Sequence, residues 1–521
     1  MSDLPEEKDQ AVSLAAECGQ HWPTMLSKPE ETREGLPEIS EADAHTIKVD
    51  VLRTRGNHPA FGPEMRDRLK ALLTELCLKE GLRYMQGLHE VAAIFAYIES
   101  TSGFKSDDAS PTLNCFIAFI RTFMPCFYDG ESFVILHITL LFFRQLLLYH
   151  LPHLHNQLED AGVAPVVYAT PWFITLFAYK NPLHVTMRLW HEYIRRGDPT
   201  FVAFLAVALM EIEKQAFLNA QEDDFNCAVD GTRITSLEKL RDVWKAAENL
   251  HSRTPKSFTF RMSKVLTQVR QQLQKTGTGH PWTESVLARA EQERRLALLA
   301  REAIAQQVRA AESPSTSIPS SGLPSLRVLL LDVRPKSAFD AEHLSHALHF
   351  HPPCLQRFAQ ISAGMSQPRA ERLAAALKQA MANVGEVVDV VGDLVRGSSA
   401  KSTDDLGTEV FQALQLASSA AWGDTWLSES ESNHLAILGG EEDWDQAQLC
   451  LPGAVAALFE LLTELCVPRV SVVLGGAAVL HREAQKRGLE LHSARSLWAG
   501  GAQRARNAFA TLKEKAKQVT R

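Results

Sequence analysis

Residues Glu80–Val91 read EGLRYMQGLHEV, and this stretch separates two segments of helical periodicity. Ahead of it, Met65, Leu69, Leu72, Leu73 and Leu76 recur at the three-and-four spacing of an amphipathic helix, which predicts a helix over Met65–Glu80. Behind it, the same pattern predicts a helix over Gly87–Ile98. Working outward, further helices are predicted over Leu113–Phe123, Phe133–Tyr149, Pro171–Tyr179, Val185–Arg195 and Thr200–Lys214. The breaks between them fall at TSGFKSDDASP, YKNP and RRGDP. No strand alternation precedes residue 320, so residues 20–275 read as one all-helical domain. Gln86 stands out in the interruption, because an uncharged amide contributes little to a core and is neither acid nor base at neutral pH.

The texture changes further along. Thr283–Ala311, TESVLARAEQERRLALLAREAIAQQVRAA, is dense in Ala, Leu, Glu and Arg and predicts a helix. ESPSTSIPSSGLPS, Glu312–Ser325, is a Pro/Ser linker, so residues 276–325 read as a helical and Pro/Ser-rich connection. Then LRVLLLDVR (Leu326–Arg334), HLAILGG (His434–Gly440) and PRVSVVLGG (Pro468–Gly476) are short apolar runs of buried-strand type. They alternate with helical stretches at Ala370–Asn383 and Gly453–Cys466, which predicts a parallel α/β sheet within 326–485. Gly392–Ser432, rich in Ser and Asp, reads as an inserted loop. Residues 486–521 form a tail. In Arg504–Arg521, Phe509, Leu512, Ala516 and Val519 recur at helical spacing among basic residues, a candidate contact for an anionic membrane.

Composition narrows the function classes. Of 521 residues, 45% are apolar and 22% charged, and the net charge of −8 argues against nucleic acid as a partner. The eight cysteines are scattered with no CxxC pair, and no signal peptide opens the chain. Together these point to a reducing, cytoplasmic setting with free thiols and no metal site. Phe133–Tyr149 is very apolar but is interrupted by His137 and Arg144. It is also short of the ~20 apolar residues a membrane span needs, so it reads as a buried helix.

Three motifs carry more. IKVDVLRT (Ile47–Thr54) has the form I-x-x-D-x-x-R-T, YMQG (Tyr84–Gly87) the form Y-x-Q-G, and VVYATPWFITLFA (Val166–Ala178) a Tyr-Ala-Thr-x-Trp-Phe core. In this order and in a helical context, Thr24–Lys264 resembles a TBC domain, the catalytic module of Rab GTPase-activating proteins. The resemblance implies that Arg53 and Gln86 are both supplied to a bound Rab-family small GTPase. A guanidinium neutralises charge on the phosphate oxygens with a planar fork of donors. An amide can donate to one group and accept from another, and so align the attacking water. Asp50 can hold Arg53 as an i,i+3 helix pair, and Tyr84, Gly87 and Trp172 are expected to support the pair. No cofactor is implied. Taken without the resemblance, Asp50–Arg53 is a surface ion pair and Gln86-Gly87 a helix-end loop. Two features depart from the family: Trp190-His191 stands where Trp-Asp is usual, and the arginine–tryptophan of a first helix is not evident in MSDLPEEKDQAVSLAAECGQHW.

LLLDVRPKSAFDAEHLSHALHF (Leu329–Phe350) resembles a rhodanese domain through its apolar strand, Asp332-x-Arg334, Phe339, His343-Leu344 and Ala347, and Pro468–Leu480 resembles that family's later strand and Gly-Gly. A working rhodanese needs a cysteine thiolate opening an anion-cradling loop after the central strand. Here HLAIL is followed by GGEEDWD, Gly439–Asp445, with no cysteine. Glu441, Glu442 and Asp443 would repel an anion, and Cys450 lies beyond. The expected fold is therefore multidomain: an all-α TBC domain followed by an α/β rhodanese-like domain with a parallel sheet, the latter inactive as a sulfurtransferase. This combination, with TPKSF at Thr254–Phe258, resembles a family of trans-Golgi factors that capture endosome-derived vesicles. It implies a cytoplasmic protein held peripherally on trans-Golgi or endosomal vesicles by Golgi tethering proteins. Such a protein is either an activator of a Rab, not itself a GTPase, or a non-catalytic scaffold.

Overall fold

The computed structural model describes residues 5–26, 34–219 except 107 and 130–132, 228, 231–276, 285, 287–288, 296–305, 327–349 except 345–346, and 433–440 and 454–493 except 465. Expectations for residues 312–325, Ala370–Asn383, 392–432, Glu441–Asp445 and the tail Arg504–Arg521 fall outside these, as do Cys227, Cys354 and Cys450. The chain divides into two compact units. The first is Met1–Arg144, Val163–His251 and Arg261–Ala290, and the second is Gln145–Gly162, Ser252–Phe260 and Glu291–Arg521.

The first unit is built of helices, with no strand among its described residues. α1 is Pro5–Met25, α2 Glu41–Arg53, α3 Pro63–Glu80, α4 Leu88–Thr101 and α5 Pro111–Phe123. Local chemistry sets their ends. Ser40 caps α2 by accepting from the Asp43 amide at 3.1 Å, with Glu41 and Asp43 in the first turn where carboxylates suit the helix dipole. Pro63 opens α3 and Gly81, with φ 65°, closes it. α4 is buried from Leu88 to Ile98 and forms the centre of the unit. Around Phe95 of α4 gather Trp22 of α1, Phe116 and Phe119 of α5, and Trp190 of a later helix.

α6, Val134–His150, follows, with no helix among the described residues long and apolar enough to cross a membrane. α7 is Pro152–Asp160, α8 Pro165–Tyr168, α9 Thr170–Ile174, α10 Leu183–Arg196, α11 Phe201–Ile212 and α12 Lys214–Asn219; helices Leu237–Arg253 and Lys256–Thr276 come after. The helix expected over Pro171–Tyr179 stops at Ile174. Leu176 (φ 45°), Phe177 (φ 62°) and Lys180 (φ 61°) turn left-handed, and the carbonyl of Leu176 accepts the indole N–H of Trp190 at 2.8 Å. Tertiary hydrogen bonds replace the helical ones that the periodicity suggested.

Among its described residues the second unit holds a five-stranded parallel sheet in the order β1-β6-β5-β2-β4. The strands are β1 Leu296–Leu298, β2 Arg327–Asp332, β4 Ala347–His349, β5 Asn433–Leu438 and β6 Val470–Val473. β3 His343–Leu344 pairs antiparallel with β7 Leu491–His492. Val328–Leu331 and Leu435–Leu438 are buried on both faces, which explains their unbroken apolar runs. β1 corrects the helix expected over Thr283–Ala311. Leu296 and Leu298 are buried and pair in register with Ser471 and Val473, so a sheet edge overrides the helix propensity of LALLA. One helical turn, Ala300–Ala303, follows, and its Glu302 accepts from the Ser257 amide at 2.9 Å.

At the head of this sheet, buried Asp332 accepts Arg334 Nη2 at 2.6 Å, and the same nitrogen donates to the Glu342 carbonyl at 2.8 Å. This ties the turn after β2 to the residue before β3. Gly476, φ 60°, is needed because a Cβ there would lie 2.8 Å from the Gly440 carbonyl oxygen.

Candidate functional site

In the first unit a cleft of about 780 Å³ is lined by Arg53 from the end of α2 and by Met85, Gln86, Gly87, His89 and Glu90. Phe133, Leu136 and His137 at the head of α6 close one side. Val166, Thr170, Pro171, Ile174, Thr175 and Tyr179 make the far wall. Arg53 and Gln86 therefore face one cavity, and both side chains are exposed. Val166 and Tyr179 of the wall are exposed apolar side chains, and so are Val167, next in sequence, and Val49 and Leu52 on the helix that ends in Arg53.

Behind the two exposed groups lies a buried polar cluster. Asp50, 2% exposed, accepts Arg53 Nη2 at 2.6 Å along α2. Its other oxygen accepts the Tyr84 hydroxyl at 2.7 Å and lies 3.3 Å from His89 Nδ1. That nitrogen is also 3.1 Å from the Tyr84 oxygen and 3.4 Å from the Gly87 amide nitrogen, which donates to it. Burial, partly offset by the Asp50 charge, lowers the His89 pKa to about 4, so the ring is neutral near pH 7. Burial first, then hydrogen bonding to Asp50, pushes the Tyr84 phenol upward. Arg53 thus presents an exposed guanidinium whose anchor is a desolvated carboxylate that also accepts the Tyr84 hydroxyl, with the neutral His89 ring beside it. Gly87, φ 107°, turns the chain between Gln86 and α4, and a Cβ there would meet Ile174 Cγ1 at 3.3 Å. The glycine lets the backbone next to Gln86 approach Ile174 of the far wall.

Trp172 does not line the cleft. It is buried beneath the wall, edge-on to Tyr168 and stacked on Phe177, and so supports the turn that carries Tyr179.

Residues 19–218 match the Rab-GTPase-TBC domain model. These residues carry a TBC domain. A mouse "TBC domain-containing protein kinase-like protein" is 29% identical over 218 residues, covering 41% of this chain and 23% of its own length. The Dictyostelium discoideum protein of that name is 26% identical over 267 residues, covering 49% of this chain and 24% of its own. The chain thus spans about a quarter of these relatives. Among solved structures, the Chlamydomonas flagellar RabGAP TBC domain aligns at 15% identity and a TM-score of 0.33, over 46% of this chain and 72% of that one.

The TBC domain does have a tryptophan on its first helix. Trp22 of α1 is fully buried against Phe95, Phe119 and Trp190, but His21 rather than arginine precedes it. His191 stands where an acidic residue was expected, and the carboxylate comes instead from α1: Glu17 pairs with Arg188 at 2.9 Å and lies 3.6 Å from His191. Reading motifs also missed Arg55, His89 and Glu90. His89 and Glu90 lie within the opening stretch and Arg55 directly after IKVDVLRT, but their roles depend on residues distant in sequence: Asp50 for His89, Arg55 for Glu90, and Ala178 and Asn181 for Arg55.

Proposed function

We propose that this protein accelerates GTP hydrolysis by a Rab-family GTPase, with Arg53 stabilising charge on the transferring phosphoryl group and Gln86 positioning the attacking water. The observation that carries this reading is the pairing, in one cleft of a TBC domain, of an exposed guanidinium tethered to buried Asp50 with an exposed amide. The chemistry needs no metal or cofactor from this chain, since catalysis of phosphoryl transfer is largely positioning and electrostatics. Tyr84, Gly87 and Trp172 support the pair from behind and below. The test is a panel of purified, GTP-loaded Rabs assayed with the full chain. At least one should hydrolyse GTP faster; intrinsic rates throughout would leave a scaffold.

The finer reading places the protein in endosome-to-Golgi transport, at the cytoplasmic face of trans-Golgi or endosomal vesicles, with Golgi tethers as partners. Residues 20–275 serve as the Rab-directed domain, 276–325 as connection and 326–485 as a rhodanese-like binding domain. Its support is the resemblance of Leu329–Phe350 to a rhodanese, together with the parallel sheet and the Asp332–Arg334 pair. The acidic GGEED sequence in place of a cysteine favours a protein-binding role for this part. Sulfur transfer from thiosulfate to cyanide above a buffer control would contradict it. The basic tail is proposed to add affinity for anionic membrane, and equal liposome flotation of intact and tail-deleted chains would remove that element.

A further inference from the structure

Two residues beyond Arg53, Arg55 has a backbone φ of 45°, a left-handed conformation that strains a non-glycine residue and persists only where its surroundings enforce it. Its side chain supplies the enforcement. Nη1 donates to the Asn181 carbonyl at 2.9 Å and Nη2 to the Ala178 carbonyl at 2.8 Å. Nε faces Glu90 Oε2 at 3.6 Å. The guanidinium is nearly buried, at 11% exposure, as is Glu90 at 10%.

Three segments meet here. One is the chain leaving α2, which carries Arg53. The second is α4, which follows Gln86 and carries Glu90. The third is the left-handed turn Leu176–Lys180, which carries Tyr179 of the far wall. The planar fork of Arg55 takes the Ala178 carbonyl of that turn and the Asn181 carbonyl just after it at once, which an ammonium cannot do.

We infer that Arg55 is a positioning residue for the reaction: it fixes the distance between the finger helix and the far wall, and so sets where the Arg53 guanidinium stands over a bound phosphate. This rests on the Rab-activating reading above. Arg55 itself faces inward to carbonyls and Glu90, so its effect passes through Arg53.

The experiment uses the full chain with a Rab that the wild type accelerates, and compares Arg55→Gly, Arg55→Lys, Arg53→Ala and the Arg53→Ala/Arg55→Gly double variant. Glycine removes the clamp while relieving the left-handed strain; lysine keeps the charge opposite Glu90 but not the fork. A displacement near 1 Å at a site of this kind costs on the order of 10²-fold in rate. Arg55→Gly should therefore lose about that factor in kcat with little change in KM, and lysine should rescue little. The decisive comparison is the double variant. If Arg55 acts through the finger, the double is no slower than Arg53→Ala alone, because a mispositioned finger and a missing one are lost together. Wild-type kcat in both Arg55 variants overturns the inference. So does a double variant slower than Arg53→Ala by the full Arg55→Gly factor, which would mark a general loss of structure. If the wild type accelerates no Rab at all, the function reading fails and takes this inference with it, a pattern distinct from either.

Discussion

Replacing Gly87 with alanine should damage both stability and catalysis, by amounts the geometry sets. The residue has φ 107° and ψ −33°, outside the regions an alanine occupies without strain. Holding a non-glycine residue in such a conformation costs roughly 1–3 kcal/mol. The new methyl would lie 3.3 and 3.4 Å from the two branches of Ile174, which is itself part of the cleft wall, so a few tenths of an ångström must be yielded. Overpacking of this kind adds roughly 1 kcal/mol. A total near 3 kcal/mol in a domain of about 200 residues corresponds to a melting point roughly 6–12 °C lower. The peptide that must shift also carries Gln86, so kcat should fall on the order of 10²-fold. Thermal unfolding by circular dichroism and single-turnover GTP hydrolysis measure the two effects separately. An alanine variant with wild-type melting and wild-type kcat would refute the claim that this glycine is required by the approach of the glutamine to Ile174.

Gln86→Ala should lose most acceleration, and Arg53→Lys should recover little of the arginine's effect; single-turnover rates check both, and the Arg53→Ala/Gln86→Ala double should be hardly slower than either single variant because the two act on one transition state. Trp22→Ala should cost about 3–5 kcal/mol in urea unfolding, since a fully buried indole leaves a cavity among Phe95, Phe119 and Trp190. The pH dependence of His89 follows from its surroundings: Asp50, Arg53, Tyr84 and Glu90 face it, and burial lowers its folded pKa to about 4. Between an unfolded value of about 6.5 and that folded value, the unfolded chain binds the proton that the folded ring refuses, so stability falls with pH across that window. His89→Asn keeps a polar amide at this position without titrating, so relative to wild type it should gain about 3 kcal/mol between pH 6.5 and 4; parallel stability curves for the two proteins would reject this.

Much of the helical half could be read from periodicity, because α3, α4, α5 and α10 bury one face or nearly all of their length and their ends coincide with Pro, Gly and Ser. The motif pairing of Arg53 with Gln86 was legible only through family resemblance, since nothing in the spacing of IKVDVLRT and YMQG places α2 beside α4. Two errors share one physical origin. The apolar run after Trp172 keeps helical periodicity, yet the chain leaves the helix at Ile174 because Arg55 and Trp190 take carbonyls of the turn beyond it. Likewise LALLA has strong helix propensity, yet Leu296–Leu298 completes a sheet whose partner strand β6 lies far along the chain. In both places a long-range hydrogen bond decides the local structure. The same holds for the carboxylate near His191, which comes from α1, on the opposite side of the domain's sequence. His89 and Glu90 stood in the opening stretch, but only the fold shows that one faces Asp50 and the other Arg55.

The most direct test is the rate of GTP hydrolysis by an accelerated Rab with full-chain Arg53→Ala, measured beside Rab binding. An arginine finger is worth roughly 10³–10⁵ in rate. The guanidinium is exposed, and its removal leaves buried Asp50 with the Tyr84 hydroxyl as donor, which costs some stability, while Rab affinity of the folded variant should stay nearly unchanged and acceleration should fall by at least about 10³-fold. Acceleration by Arg53→Ala within a few-fold of wild type, with binding intact, would contradict the account.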